Sequence, residues 1–132
     1  MIARYTRPQM ASLWSDQNGF QVWLEVELAV LSVLAQERII PKNVASEIRK
    51  KAKINVSRIL DIEKEVHHDV IAFCTSITEQ VKSVGRFFHY GLTSSDVVDT
   101  ALMLLFREAI TLIREGLINL DQILQKLALK YR

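Results

Sequence analysis

Three groups of residues in this 132-residue chain carry side chains suited to binding or acid–base work. His89-Tyr90-Gly91-Leu92-Thr93-Ser94-Ser95-Asp96 gathers an imidazole, a glycine and three hydroxyls ahead of an apolar-periodic run. Hydroxyls and free N–H groups at a helix start form a natural carboxylate or phosphate site, because unpaired amides and the helix dipole both favour an anion. Capping alone, with Ser95 as the cap, accounts for Ser95, Asp96 and Asp99. It leaves the histidine, the glycine and the two upstream hydroxyls unexplained. The spacing of Gly85 and Gly91 is not a phosphate-binding fingerprint, which needs a preceding strand.

His67-His68-Asp69 is the second group. Adjacent residues point to different sides of a helix or strand, whereas metal-binding pairs sit at i,i+3 or i,i+4, so no metal is expected here. Caps for a helix starting near Val70 are the structural reading of the same residues. The third group is Arg4-Tyr5, and an arginine at a chain terminus is ordinarily just solvated.

These groups need a frame, and composition points to helices. The chain is 49% hydrophobic and 24% charged, which is globular, and has only four Gly and two Pro. Few breakers mean few turns, which argues against a β-sandwich or barrel. Thr6-Arg7-Pro8 opens a short helix with Met10, Leu13 and Trp14 inward. Ser15 caps a helix over 16–38 whose two apolar stripes, one through Trp23, Leu24, Leu28 and Leu31 and one through Val22, Val26, Val30 and Val33, predict a central position. Pro41 ends it. A polar helix follows over 41–53, a short one capped by Ser57 runs to Glu65, and helical spacing resumes from Val70 to Val81. Residues 85–95 have no clean period.

From Asp96 to Arg132 only Gly116 argues against one helix. One stripe steps through Met103, Phe106, Ile110, Ile113, Leu117, Leu120, Leu124 and Leu127, and a second through Val98, Leu102, Leu105, Ala109 and Leu112. Two adjacent stripes at this spacing predict burial in a bundle. Such a helix is ~55 Å long. A compact globule of this size has a radius of gyration near ~14 Å, so either the helix breaks near Gly116 or the chain is a piece of something larger.

Several function classes are disfavoured. A net charge of +2 implies no polyanionic partner, and Arg49, Lys50, Lys51 and Lys53 beside Glu47 read as a solvated face, so no nucleic acid is expected. The lone Cys74 rules out a disulfide framework and fits a reducing cytosol. The N-terminus has no apolar leader core, and Glu25 and Glu27 interrupt the apolar run 22–34, so no membrane partner is expected.

The stretch from His89 to Leu102 resembles the first signature of the adenylosuccinate lyase family, within the fumarase/aspartase superfamily. Residues 1–8 with Leu13-Trp14-Ser15 resemble its bacterial N-terminus. His68-Asp69-Val70-Ile71-Ala72-Phe73 resembles a second motif, and Trp23-Leu24-Glu25-Val26-Glu27 also fits. Three motifs stand in the family's order along essentially the whole chain.

The resemblance implies an all-α fold: an N-terminal helical domain over 1–95, then a long helix over 96–132 leading into a central bundle and truncated here. It implies β-elimination of fumarate from adenylosuccinate, giving AMP, and from the succinyl-carboxamide ribotide of purine biosynthesis, with no cofactor and no metal. Position by position, it places Arg4 and Tyr5 at the phosphate and ribose end and His68 and Asp69 against the base and reacting nitrogen. His89 falls near the phosphate, and Thr93 and Ser94 on the succinyl portion. Position 67, usually basic, is His67, and position 66, usually Thr, is Val66. The family's acid histidine and base serine lie beyond residue 132, so no catalytic residue is expected in the chain, and the segment alone should be inactive. A cytoplasmic homotetramer taking a small nucleotide substrate is implied for the whole protein. The rival reading is a non-catalytic helical oligomerisation or interaction module.

Overall fold

Pro8 sits in the first turn of α1 (Pro8–Leu13), where its missing N–H has no partner to lose. The Ser15 hydroxyl then accepts from the Asn18 N–H at 3.3 Å and starts α2 (Asp16–Gln36), as the sequence predicts. This computed structural model describes residues 2–132, and Met1 of the N-terminal motif lies outside the described residues. Among those described, six α-helices and two 3-10 turns, Ala3–Tyr5 and Lys82–Phe87, account for the regular structure, with no strand.

Helix α2 is the central element. Leu24, Leu28, Leu31 and Ala35 enter the main core, while Val26 joins a second cluster with Val97 and Ala101. By length and mean hydropathy α2 is apolar enough to cross a membrane, but 39% of its most apolar window is buried against neighbouring helices. It stops two residues short of the predicted end, because Arg38 turns into the left-handed region (φ 61) ahead of Pro41.

The next two helices differ from the sequence expectation at their ends. Helix α3 (Val44–Lys51) is shorter than 41–53, since the Val44 N–H bonds back to Pro41 in a turn and Ala52 is already extended. Its basic residues are a solvated face as expected, Arg49 pairing with Glu25 at 2.9 Å and Lys51 with Glu47 at 3.3 Å. Helix α4 (Val56–Val66) is capped by Asn55, not Ser57. The Asn55 Oδ1 accepts from the Arg58 N–H at 3.1 Å and also holds the Ser57 hydroxyl at 2.9 Å, so Ser57 falls inside the first turn while the Asn55 amide oxygen takes the cap.

Helix α5 (Asp69–Val81) carries Phe73, wholly buried among the rings of Phe20, Trp23 and Phe88. The 3-10 turn after it passes close to α5 at Gly85. A Cβ there would stand 3.1 Å from Thr78 Cβ, tighter than an ordinary packing contact.

Helix α6 (Ser94–Lys130) runs 37 residues, about 55 Å, straight through Gly116. The break considered at Gly116 is absent. The buried row is Val97, Ala101, Leu105 and Ala109, two of them alanines that let α1 and α2 approach closely. Neither predicted stripe matches this row throughout. No residue beyond Ala109 is buried, and Ile110, Ile113, Leu117, Leu120, Ile123, Leu124 and Leu127 are all exposed. The stripes are present, but beyond Leu112 they stand exposed among the described residues.

Candidate functional site

The signature around position 93 is closed by its own residues. Thr93, not Ser95, is the N-cap of α6, and the Asp96 carboxylate reaches back to accept from the Thr93 N–H at 2.7 Å. This is the reach-back half of a capping box, and an aspartate three residues after a threonine supplies it. Ser94 and Ser95 fall in the first turn, where amides lack helical partners, so hydroxyl and N–H donors converge at one helix end.

Immediately upstream, His89 adopts φ 61 and Gly91 φ 76. A left-handed backbone is ordinary for Gly91. For His89 it costs roughly 1–2 kcal/mol, which surrounding contacts must offset. Those contacts come from Glu27, at the middle of α2 and 0% exposed. Its Oε2 accepts from the His89 N–H at 3.0 Å, and its Oε1 lies 2.6 Å from His89 Nδ1. Burial pushes the Glu27 carboxyl above its usual range, opposed by its hydrogen bonds to His89 and that residue's charge. The His89 side chain remains 25% exposed.

Cys74 of α5 joins this pair: one ligand atom each from Glu27, Cys74 and His89 lies within 4.8 Å of the others. By donor type the set suits a metal ion. Its spacing does not, because two ligands at about 2.0–2.1 Å on a tetrahedral ion stand roughly 3.3 Å apart, against 2.6 Å here. That separation is a hydrogen bond. Burial, then the nearby Glu27 charge, also push the Cys74 thiol up to about 12, away from the thiolate a metal needs.

The His67-His68-Asp69 corner joins α4 to α5. His67 ends α4 in a left-handed conformation (φ 53), its N–H bonding Glu63 at 2.8 Å. His68 is the N-cap of α5, its Nδ1 accepting from the Ile71 N–H at 3.4 Å, and Asp69 accepts from the Val70 N–H at 2.7 Å. The capping roles read from sequence are thus present. All three side chains are nonetheless exposed, with His68 Nδ1 3.4 Å from Asp69 Oδ1. Asp69 also borders a cleft of about 250 Å³ that reaches Ser15, Gly19, Trp23 and Leu105.

Arg4 and Tyr5 occupy the N-terminal 3-10 turn, both exposed, with the guanidinium 4.8 Å from the phenol ring centroid. The next arginine, Arg7, reaches the middle of α6, its Nη1 3.8 Å from where a Cβ on Gly116 would stand. The chain therefore holds its polar clusters on separate elements: Thr93 and Ser94 at the start of α6, the His68–Asp69 corner over the Leu105 cleft, and Arg4–Tyr5 at the N-terminus.

Glu27 is the residue that the sequence reading passed over, as a mere interruption of an apolar run. The signal was available. Glu27 falls between Leu24 and Leu31 on the core-facing row, three and four residues away, and a carboxylate in such a row demands a partner. Only the fold identifies that partner as His89, 62 residues on.

A family model described as lyase matches residues 3–132. The chain is 47% identical over all 132 residues to an adenylosuccinate lyase of Synechocystis sp., 40% to one of Bacillus subtilis and 41% to one of Streptococcus mutans. It spans 31% of the length of each of these relatives. Among solved structures, a fumarate lyase from Mesorhizobium sp. superposes with TM-score 0.73 at 26% identity, over 80% of this chain and 26% of that one. A beta-carboxy-cis,cis-muconate cycloisomerase from Acinetobacter calcoaceticus gives 0.75 at 26% identity, over 83% and 27%. With helices, signature and family model agreeing from residue 3 to the last, the chain belongs to this lyase family, of the fumarase/aspartase superfamily.

Proposed function

We propose that this chain is the substrate-binding part of an enzyme that eliminates fumarate from adenylosuccinate, giving AMP, and from the succinyl-carboxamide ribotide. The observation that carries this is identity of 40–47% across the whole chain to proteins named for that substrate. Residues 1–95 serve as the N-terminal domain, and 96–132 as the first strut of a central bundle. The exposed apolar face of α6 beyond Ala109 supports that role, since a bundle supplies what the strut lacks.

Elimination needs a base to take the proton beside a carboxylate and an acid to protonate the departing nitrogen. It also needs donors that hold the charge growing on that carboxylate. The donor role falls to Thr93 and Ser94, whose hydroxyls, with the Ser94 amide at the helix start, suit a carboxylate. His68 and Asp69 lie against the base and reacting nitrogen, with His67 beside them, and Arg4, Tyr5 and His89 take the phosphate and ribose end. An elongated ligand, a nucleotide bearing a dicarboxylate, is the kind that engages groups held on such separate elements. The acid and the base come from outside this chain, which is inactive alone. No metal or organic cofactor takes part, and the whole protein is a cytoplasmic homotetramer.

Ser94→Ala in the full-length protein tests the assignment. The expected result is an increase of about tenfold or more in KM for adenylosuccinate, with the fold intact by circular dichroism. An unchanged KM removes Ser94 from the site.

A further inference from the structure

Glu27 is the only charged side chain among the described residues that is buried, and burying a carboxylate is costly unless every lone pair is used. Both of its oxygens are spent on one residue. Oε2 takes the His89 backbone N–H, which holds the left-handed turn, and Oε1 takes the ring at Nδ1. Holding the turn alone would need one of these bonds, so the second is left to act on the imidazole itself. An ionised carboxylate only accepts, hence the proton of this bond belongs to Nδ1. Nε2, across the ring, is then the atom left for a ligand, and the ring is part-exposed. Cys74, from α5, is the other titratable group beside Glu27, and its raised thiol keeps a second charge out of the cluster.

We propose that Glu27 is a positioning residue for His89: it keeps a proton on Nδ1 and fixes the ring's direction, so that the Nε2–H of the doubly protonated ring is presented to an anionic oxygen of the substrate. When the ring carries both protons, Nε2–H donates to a phosphate or carboxylate oxygen. The identity of that substrate rests on the function proposed above. The Glu27–His89 geometry does not.

The test uses the full-length protein with 15N-labelled histidine, wild type and Glu27→Gln, the His89 ring signals being assigned against His89→Gln by solid-state NMR. Wild type should show a protonated Nδ1. Glutamine keeps one acceptor for the His89 N–H and turns an N–H donor toward Nδ1, so Glu27→Gln should lose the Nδ1 proton and shift the ring to its Nε2–H form. KM for adenylosuccinate should rise about tenfold while kcat moves less than roughly threefold. A wild-type ring protonated on Nε2 alone overturns the inference, and this arm decides the matter even if the variant does not fold. Unchanged ring signals in Glu27→Gln overturn it as well, whatever happens to activity, because any loss is then structural. If the wild-type protein does not cleave adenylosuccinate, the proposed substrate fails while the ring measurement still judges the role of Glu27.

Discussion

Asp69, the first residue of α5, borders the same cleft as Leu105 of α6. Ser94 starts α6, and Leu105 lies about 16 Å further along it. The long helix therefore acts as a ruler on which two of the polar clusters are set at different heights. Each cluster is held by local hydrogen bonds, and their spacing is held by the buried row Val97, Ala101, Leu105 and Ala109.

The corner before Asp69 separates structural from ligand-directed roles. His67 ends α4 with φ 53, which glycine adopts without cost. His67→Gly should stabilise the fold by about 1 kcal/mol, read as a higher urea midpoint. A lower midpoint would mean that the His67 side chain contributes packing which its exposure does not suggest.

Ser76 is buried, with its hydroxyl unpartnered among the described residues. Leaving a buried hydroxyl unsatisfied costs roughly 1–3 kcal/mol, and alanine fits the same space. Ser76→Ala should match or exceed wild-type stability in thermal melts. A clear loss would show that the hydroxyl has a partner after all.

Cys74 should behave as an inert thiol. With its titration pushed up to about 12, almost no thiolate exists at pH 8, and the side chain is only part-exposed. A disulfide reagent should modify this position in denatured protein and not in native protein, with Cys74→Ser as the reference. Rapid native labelling would contradict the burial described.

Glu27 gives stability a pH signature. Its folded pKa is raised, mainly by burial, so its contribution is present below the unfolded value of 4.5 and is lost as pH rises through the folded value. Glu47, Asp61 and Glu79 are lowered, mainly by bonds to Lys51, Lys64 and Arg58 respectively, and their contributions are lost as pH falls below their usual ranges. Wild type should therefore lose stability relative to Glu27→Gln as pH climbs above 4.5. Parallel curves would show that Glu27 titrates as an ordinary carboxylate.

Much of the fold was legible in local signals. Ser15 and Pro8 mark helix starts by mechanisms that need no tertiary contact, and the stripes of α2 announce a central helix. Where two polar residues compete for one cap, spacing alone does not decide. Asn55 displaces Ser57, and Thr93 displaces Ser95 because Asp96 reaches back to it. The stripes of α6 speak for its apolar surface, but not for which part of that surface this chain covers. At the candidate site the clusters stand out by residue type, whereas the Glu27–His89 bond joins residues 62 apart and exists only once α2 lies against the turn before α6.

Product analysis of the full-length protein with adenylosuccinate tests the account most directly. AMP and fumarate should appear in equal amounts, with no added metal or cofactor, and the same assay on residues 1–132 alone should show none. Absence of fumarate from the full-length protein, or its release by residues 1–132 alone, would contradict the account.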